Sequence, residues 1–524
     1  MPSSGENNVH GLGEHKQKRD QPNRALGLVL LAALVSAAGC VAPRADYYEA
    51  LRLRQASAYH RWQMQQEEDA QRPRAAGPLS LEEAVRLGLE CSPKLQATLQ
   101  ARELARGRLV EAYSEALPSV DLSAGYTRLD QTPTVNLGTT SFAAGDRDNY
   151  SYRVEITQPI YKGGAAAIAL RAARIYSYLS DETVRGAAED VIYAIAQAYH
   201  DTVLARHLVG VQEDGLRSAQ AHLQDVESRR QHGVATEYDV LRARVDVSNI
   251  QAALIEQTNR RDLACTRLFR AMGVSQRSTV DLVTDLGYDP ADPDPDEAVR
   301  TALQNRPDLY QALLNVDLQR EALDEARSHY LPRVNAYFWH LWAKPDPHES
   351  SNIEWDRQWQ AGLGLTWPLF DGLAREGRII QETARLRQQE INLSDAEEQA
   401  LLEVTNALLE MENARKLVES QQLNLERADR ALALVEAGYR EGVNTELEVL
   451  DGRVALTDTR GLYYTALHRY TSARLALQKS MGILGAPPGA RDVPEQGSLT
   501  GRTQPPTGTE GETDAERLLV RKDT

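Results

Sequence analysis

An apolar seam constrains this chain more than any other feature. From Ala400 through Val404, Ala407, Met411, Ala414, Val418, Gln421, Leu425, Ala428, Leu432 and Val435 to Tyr439, residues recur in alternating steps of four and three, and only Gln421 is polar. Spacing sustained over so many turns marks a coiled-coil seam, not the broader stripe of an ordinary globular helix. The seam ends at Tyr439-Arg440-Glu441-Gly442-Val443-Asn444-Thr445. Gly442 can take the left-handed conformation that closes a helix, and Thr445 with Glu448 three residues on forms a capping box that opens another. The stretch therefore predicts a helical hairpin whose first arm, at 1.5 Å per residue, is on the order of 100 Å long.

The chain contains this hairpin twice. Shifted by 209 positions, the seam reads Val191, Ile195, Ala198, Thr202, Ala205, Val209, Gln212, Leu216, Ala219, Leu223, Val226 and Arg230, with the polar interruption in place. The first tip is Gln231-His232-Gly233-Val234-Ala235-Thr236, and Met272-Gly273 answers Met481-Gly482. Upstream, Ser92-Pro93 answers Arg306-Pro307, and Leu117-Pro118-Ser119-Val120 answers Leu331-Pro332-Arg333-Val334. A period of about 200 residues is too long for a solenoid, so the chain reads as two tandem copies of one unit. The first copy spans 79–287 and opens at a capping box, Ser80 with Glu83. An Asp/Pro-rich linker at 288–295 leads to the second copy, 296–482, and a Gly/Pro/Thr-rich tail, 483–524, is expected to be disordered.

Residues 1–39 predict export. A polar start with Lys16, Lys18, Arg19 and Arg24 precedes the apolar run from Ala25 to Ala38, too short to span a membrane and typical of a signal peptide. Gly39-Cys40 then resembles a lipobox, making Cys40 the expected lipid-bearing first residue of the mature chain; ordinary cleavage before an unmodified Cys40 is the alternative. The segment 40–78 would be lipid-anchored, as a short helix or a linker. A net charge of −16 with no basic stripe argues against nucleic-acid binding. The other cysteines, Cys91 and Cys265, have no metal-type spacing and read as separate buried thiols, with a disulfide between them as the other possibility.

Between the first helix and the hairpin, each copy switches to period two. Val120, Leu122, Ala124 and Tyr126 alternate with polar or small residues, as do Tyr150, Tyr152, Val154 and Ile156, and again Trp359, Ala361, Leu363, Leu365 and Trp367. The remaining strand, Val334 to Trp342, is apolar on both faces and is the weakest of the four. About ten residues suffice for a tilted strand to cross a bilayer. Four strands cannot close a barrel, and hydrocarbon tolerates no open sheet edge, so membrane strands here require several chains to share one barrel.

These features together resemble the TolC-like outer-membrane efflux proteins, or outer-membrane factors. The resemblance rests on the duplicated element order, on Leu117-Pro118-Ser119-Val120, on Thr157-Gln158-Pro159-Ile160-Tyr161-Lys162-Gly163-Gly164 with its echo Thr366-Trp367-Pro368-Leu369-Phe370-Asp371-Gly372, and on the two tips. It implies an α+β membrane protein, a homotrimer sharing one twelve-stranded β-barrel that continues into a helical coiled-coil tunnel. It also implies a passive exit duct for tripartite efflux or type I secretion, seated in outer-membrane lipid and extending into the periplasm. Its partners would be a periplasmic adaptor and an inner-membrane pump of RND or ABC type. A non-conducting periplasmic tether is the alternative.

No catalytic set emerges. His200 and His207 share a helix without H-E-x-x-H spacing, Gly163-Gly164 lacks a phosphate-loop pattern, and neither a cofactor nor a metal site is expected. The resemblance places adaptor docking at the tips, Gly233, Val234 and Thr236 with Gly442, Val443 and Thr445. It also implies a periplasmic gate at Glu448 and Asp451, with Tyr439 tying the second hairpin to its neighbour. The first tip has Asp239 and Arg242 at the positions of Glu448 and Asp451. Capping explains Asp239 and Glu448 alike, but it does not explain Asp451.

Overall fold

The structure, a computed structural model, describes residues 44–68, 73–137, 140–143, 145–349 and 352–485. Cys40, the leader and the tail beyond 485 lie outside the described residues. One compact unit holds helix α1 (Arg44–Glu68), so this part of the 40–78 segment is helix; Tyr47, Tyr48, Leu53 and Tyr59 on it are exposed. The second unit holds both copies of the repeat except residues 275–277, which group with the first unit.

The first copy runs β1 (Ala76–Leu79), α2 (Leu81–Cys91), α3 (Pro93–Ser114), β2 (Ser119–Arg128), β3 (Thr134–Leu137), β4 (Thr140–Ala143), β5 (Asp148–Lys162), α4 (Ala165–Gln231) and α5 (Glu237–Met272). β6 (Thr279–Leu282) closes the first copy, and the second runs α6 (Pro295–Asn305), α7 (Pro307–Ser328), β7 (Arg333–Lys344), β8 (Asp356–Thr366), α8 (Ala374–Arg440) and α9 (Glu446–Ser480). The long arms α4 and α8 each have 67 residues, about 100 Å at helical rise. Their seams face inward. Ala400, Val404, Ala407, Met411, Ala414 and Val418 are buried, and the seam from Gln421 to Tyr439 is half-buried where fewer helices surround it.

Each copy breaks its first helix at an X-Pro step, because a residue before proline avoids the helical region. Ser92 and Arg306 both adopt extended backbone there. Arg306 is buried, and its guanidinium donates to the Ser480 carbonyl at 3.2 Å and meets Asp308 and Glu403 at 2.7 Å each. The glycines that end the hairpins pack onto these breaks, Gly273 at Cys91 and Gly482 at Arg306. Around this belt lies the core, with Leu95, Ile195, Tyr199, Leu268 and Met272 fully buried; each such aliphatic side chain contributes roughly 1.5–3 kcal/mol. The Tyr199 hydroxyl donates to the Leu79 carbonyl at 2.9 Å and accepts from the Thr284 amide at 3.0 Å, clasping a parallel pair, β1 with β6. That pair does not figure among the sequence expectations.

The four long strands form one antiparallel sheet in the order β2-β5-β7-β8. Register aligns Val120, Leu122, Ala124 and Tyr126 with Ile156, Val154, Tyr152 and Tyr150, and these in part with Phe338, His340 and Trp342, then Ala361 and Trp359. One face is therefore apolar and solvent-facing in the single chain, with Leu122 and Leu363 each 75% exposed. β7, the weakest strand in sequence, pairs along its whole length because its second apolar face is accommodated. The Arg153 guanidinium lies 4.5 Å over the Trp339 ring, and the Tyr337 ring covers Gly362, where a Cβ would sit 2.7 Å from the phenol oxygen. No described helix is long and apolar enough to cross a membrane.

The turns from sheet to long helix differ in one informative way. Gly163 and Gly164 open α4 with φ of 65° and 84°, and Gly372 and Leu373 open α8 with φ of 69° and 70°. A left-handed leucine costs roughly 1–2 kcal/mol, and Leu373 is exposed. Leu373→Gly is expected to stabilise the protein by about 1 kcal/mol, seen as a higher thermal midpoint in detergent. An unchanged or lower midpoint would show that the leucine side chain has contacts that offset its backbone.

Candidate functional site: the hairpin tips

The two tips are built alike. Gly233 (φ 78°) and Gly442 (φ 74°) take the left-handed conformation, and each is followed by a bond reaching back into its helix, Val234 N to Arg229 O at 2.9 Å and Val443 N to Gly438 O at 2.8 Å. Val234 and Val443 project outward, 76% and 80% exposed. Both capping boxes form. Asp239 Oδ2 accepts from the amide and hydroxyl of Thr236 at 2.7 Å each, and those bonds hold its carboxyl below the ordinary range. Glu448 Oε2 accepts from the amide of Thr445 at 2.7 Å and its hydroxyl at 3.1 Å. Asp451 has no capping partner and is exposed, while its counterpart Arg242 is half-buried.

The structure brings the second tip against the first. The Tyr439 ring lies under the Arg229 guanidinium at 4.5 Å and 6.1 Å from the His222 ring. Arg453 repeats the pair that Arg244 makes with Glu227, meeting Glu436 at 2.9 Å, and adds a bond to the Ser218 carbonyl of the first hairpin at 3.0 Å. Glu446 turns inward to a buried His222. Sequence reasoning passed over His222, Arg229, Glu446 and Arg453. A signal existed for two of them, since the second copy has Ala431 and Gly438 where the first has His222 and Arg229.

Other titratable groups are explained by packing. His207 stacks on Tyr464 at 4.2 Å and bonds Asp285, and His200 is buried, its pKa pushed down to about 4 by desolvation. Cys91 and Cys265 are free and half-buried, and burial raises both thiols. In the β7–β8 loop Asp346, His348 and Asp356 approach one another. Asp346 there already accepts from the amides of His348 and Glu349 and from Asn352 Nδ2, so the turn itself accounts for the cluster.

The family model for outer membrane efflux proteins matches residues 85–274 and 298–483, the two copies of the duplicated unit. The chain belongs to the outer membrane efflux protein family. It is 24% identical over 412 residues to the alkaline protease secretion protein AprF of Pseudomonas aeruginosa, covering 78% of this chain and 85% of the relative. It is 27% identical over 430 residues to protein CyaE of Bordetella pertussis, with the same coverage. Its fold matches the crystal structure of a membrane protein from Pseudomonas aeruginosa with a TM-score of 0.66, at 21% identity, over 79% of this chain and 92% of that one. In this efflux-family chain each tip closes a helical hairpin at the end of the long arm opposite to the one that leaves the strand sheet.

Proposed function

We propose that this chain is an outer-membrane exit duct, three copies of which close one barrel and one helical tunnel. Its placement in the outer membrane and its role in export follow from the family. The observation that carries the assembly is the set of unmatched edges. Within one chain α4 packs along helices of both copies, including α7 and α9, whereas α8 packs mainly on α6, α7 and α9 of its own copy and meets α4 through the Tyr439 ring near the tip. Exposed Leu402, Leu409 and Leu434 lie along α8, and exposed Leu104, Val110, Val245 and Ile255 lie along α3 and α5. Repeating the α4 contact between chains sets α8 against α3 and α5 of the next copy, a heterologous contact that closes into a ring. The sheet has the same need, since β2 and β8 are free edges. Four strands from each of three chains make the twelve-stranded barrel of the TolC-like pattern.

In this reading the apolar sheet face meets lipid, Cys40 carries the lipid anchor, and Gly233, Val234, Thr236, Gly442, Val443 and Thr445 meet a periplasmic adaptor served by an inner-membrane pump. Glu448 and Asp451 ring the tunnel entrance, and Tyr439 holds the second hairpin against the first. The name of the Pseudomonas relative, a protease secretion protein, supports polypeptide cargo as one use of such a duct.

Purification of the full chain from outer membranes tests this reading in one preparation. The expected result is a trimer that conducts ions in planar bilayers, with an intact mass that starts at a lipid-modified Cys40. A monodisperse monomer without detergent would sink the barrel. A non-conducting trimer would favour the tether, and an unmodified start would remove the anchor.

A further inference from the structure

His222 and Glu446 meet across the boundary between the two hairpins of one chain. His222, on α4, is 5% exposed, and its Nε2 lies 3.7 Å from Oε1 of Glu446, the first residue of α9. Neither atom has a hydrogen-bond partner. The Glu446 carboxyl also faces the Asp239 carboxyl on α5. The duplication provides the contrast. The position of His222 is Ala431 in the second copy, and the counterpart of Glu446 is Glu237, exposed and paired with Arg230. One pair of equivalent glutamates therefore has one member in water and the other between two hairpins.

We propose that His222, Glu446 and Asp239 form a proton-linked junction between the hairpins, whose two halves respond to acid in opposite directions. The imidazole is faced by Arg453 of α9, Glu436 of α8, and Asp225 and Arg229 of its own helix; the Glu446 carboxyl is faced by Asp239 and Arg242 of α5. Burial first, and Arg453 second, hold packed His222 down at about 4, against 6.5 in water. Separating the hairpins lets it take up a proton, so acid favours separation between pH 6.5 and 4. Burial and then the Asp239 charge push packed Glu446 up to about 6, against 4.5 in water. Separation makes it release a proton, so acid favours packing between pH 6 and 4.5. The Asp239 carboxyl, held below the ordinary range by its Thr236 bonds, stays charged and disfavours ionisation of Glu446. This junction lies within one protomer and does not depend on conduction.

Hydrogen–deuterium exchange of the tip segments 229–240 and 438–450 tests it on the full chain in detergent, at pH 7.5 and 5.0, with rates divided by the intrinsic chemical rates. Glu446→Gln leaves the imidazole alone, and opening should rise roughly thirtyfold on acidification; His222→Asn leaves the carboxyl pair, and opening should fall roughly eightfold. In wild type the two halves oppose each other, so its response should lie between those of the two variants. Exchange in the 81–114 helices reports whether a variant is folded. Equal responses in the two variants, or responses of the same sign, would overturn the junction. A wild-type response outside the range set by the two variants would overturn it as well.

Discussion

Gly273→Ala is expected to cost about 3 kcal/mol or more, while Gly233→Ala costs only about 1. The two glycines share nearly the same backbone, φ of 74° and 78°, so the left-handed penalty is common to both. Their surroundings differ. A Cβ at Gly273 would collide with the Cys91 carbonyl oxygen and lie 2.8 Å from its carbon and 3.1 Å from Pro93 Cδ; at Gly233 it would meet nothing within 4 Å. The obstacle at Gly273 is backbone, at the break between α2 and α3, and its neighbours Leu268, Met272 and Leu95 are fully buried and cannot yield. Gly482, in the second copy, faces the same obstacle in the backbone of Asn305 and Arg306, so Gly482→Ala should behave like Gly273→Ala. Thermal midpoints of the solubilised protein separate these cases. Equal losses at Gly273 and Gly233 would mean that the belt relaxes and that the close packing of hairpin ends onto helix breaks is incidental.

What the sequence made legible depended on length of pattern. The seams, the tip glycines and the capping boxes repeat over dozens of residues or occur in duplicate, and they lie where periodicity puts them. The same repetition placed the sheet strands, including β7, although its face toward Arg153 and Gly362 is readable only once Trp339 and Tyr337 have neighbours. The β1–β6 pair escaped because Ala-Gly-Pro-Leu and Thr-Val-Asp-Leu are too short to show a period, and one contains both glycine and proline. Its stability comes from Tyr199, which belongs to a distant helix and carries no local mark. The junction at His222 escaped for a related reason. Glu446 and Glu237 are the same residue in the same cap position, and only packing against the other hairpin makes them different. Pattern thus reported what each copy does alone, and missed what the copies do to each other.

Glu448→Gln with Asp451→Asn is expected to reduce cation preference about fivefold or more, and Asp239→Asn is expected to leave it nearly unchanged. Three chains bring six carboxylates to the entrance if Glu448 and Asp451 face the axis. At 8 Å in water one carboxylate lowers the energy of a monovalent cation by about 0.5 kcal/mol. Screening over a Debye length of about 8 Å removes most of that, yet six together still leave about 1 kcal/mol for cations and an opposite term for anions. The capping boxes keep the helices comparable, although Asp239→Asn also removes a charge that faces Glu446. Glu448 and Asp239 both accept from their threonine caps, and the amides Gln and Asn retain an acceptor oxygen there, so either change removes charge with little loss of helix stability. Asp451 has no capping role, and its counterpart in the first tip is the basic Arg242, so the acidic pair belongs to the second tip alone. Reversal potentials in a salt gradient, with block by a trivalent cation as a second readout, distinguish the variants. Loss of selectivity in the double variant alone would support the ring at the entrance. Equal selectivity in wild type and both variants would put the acidic pair outside the pore and leave Glu448 a helix cap.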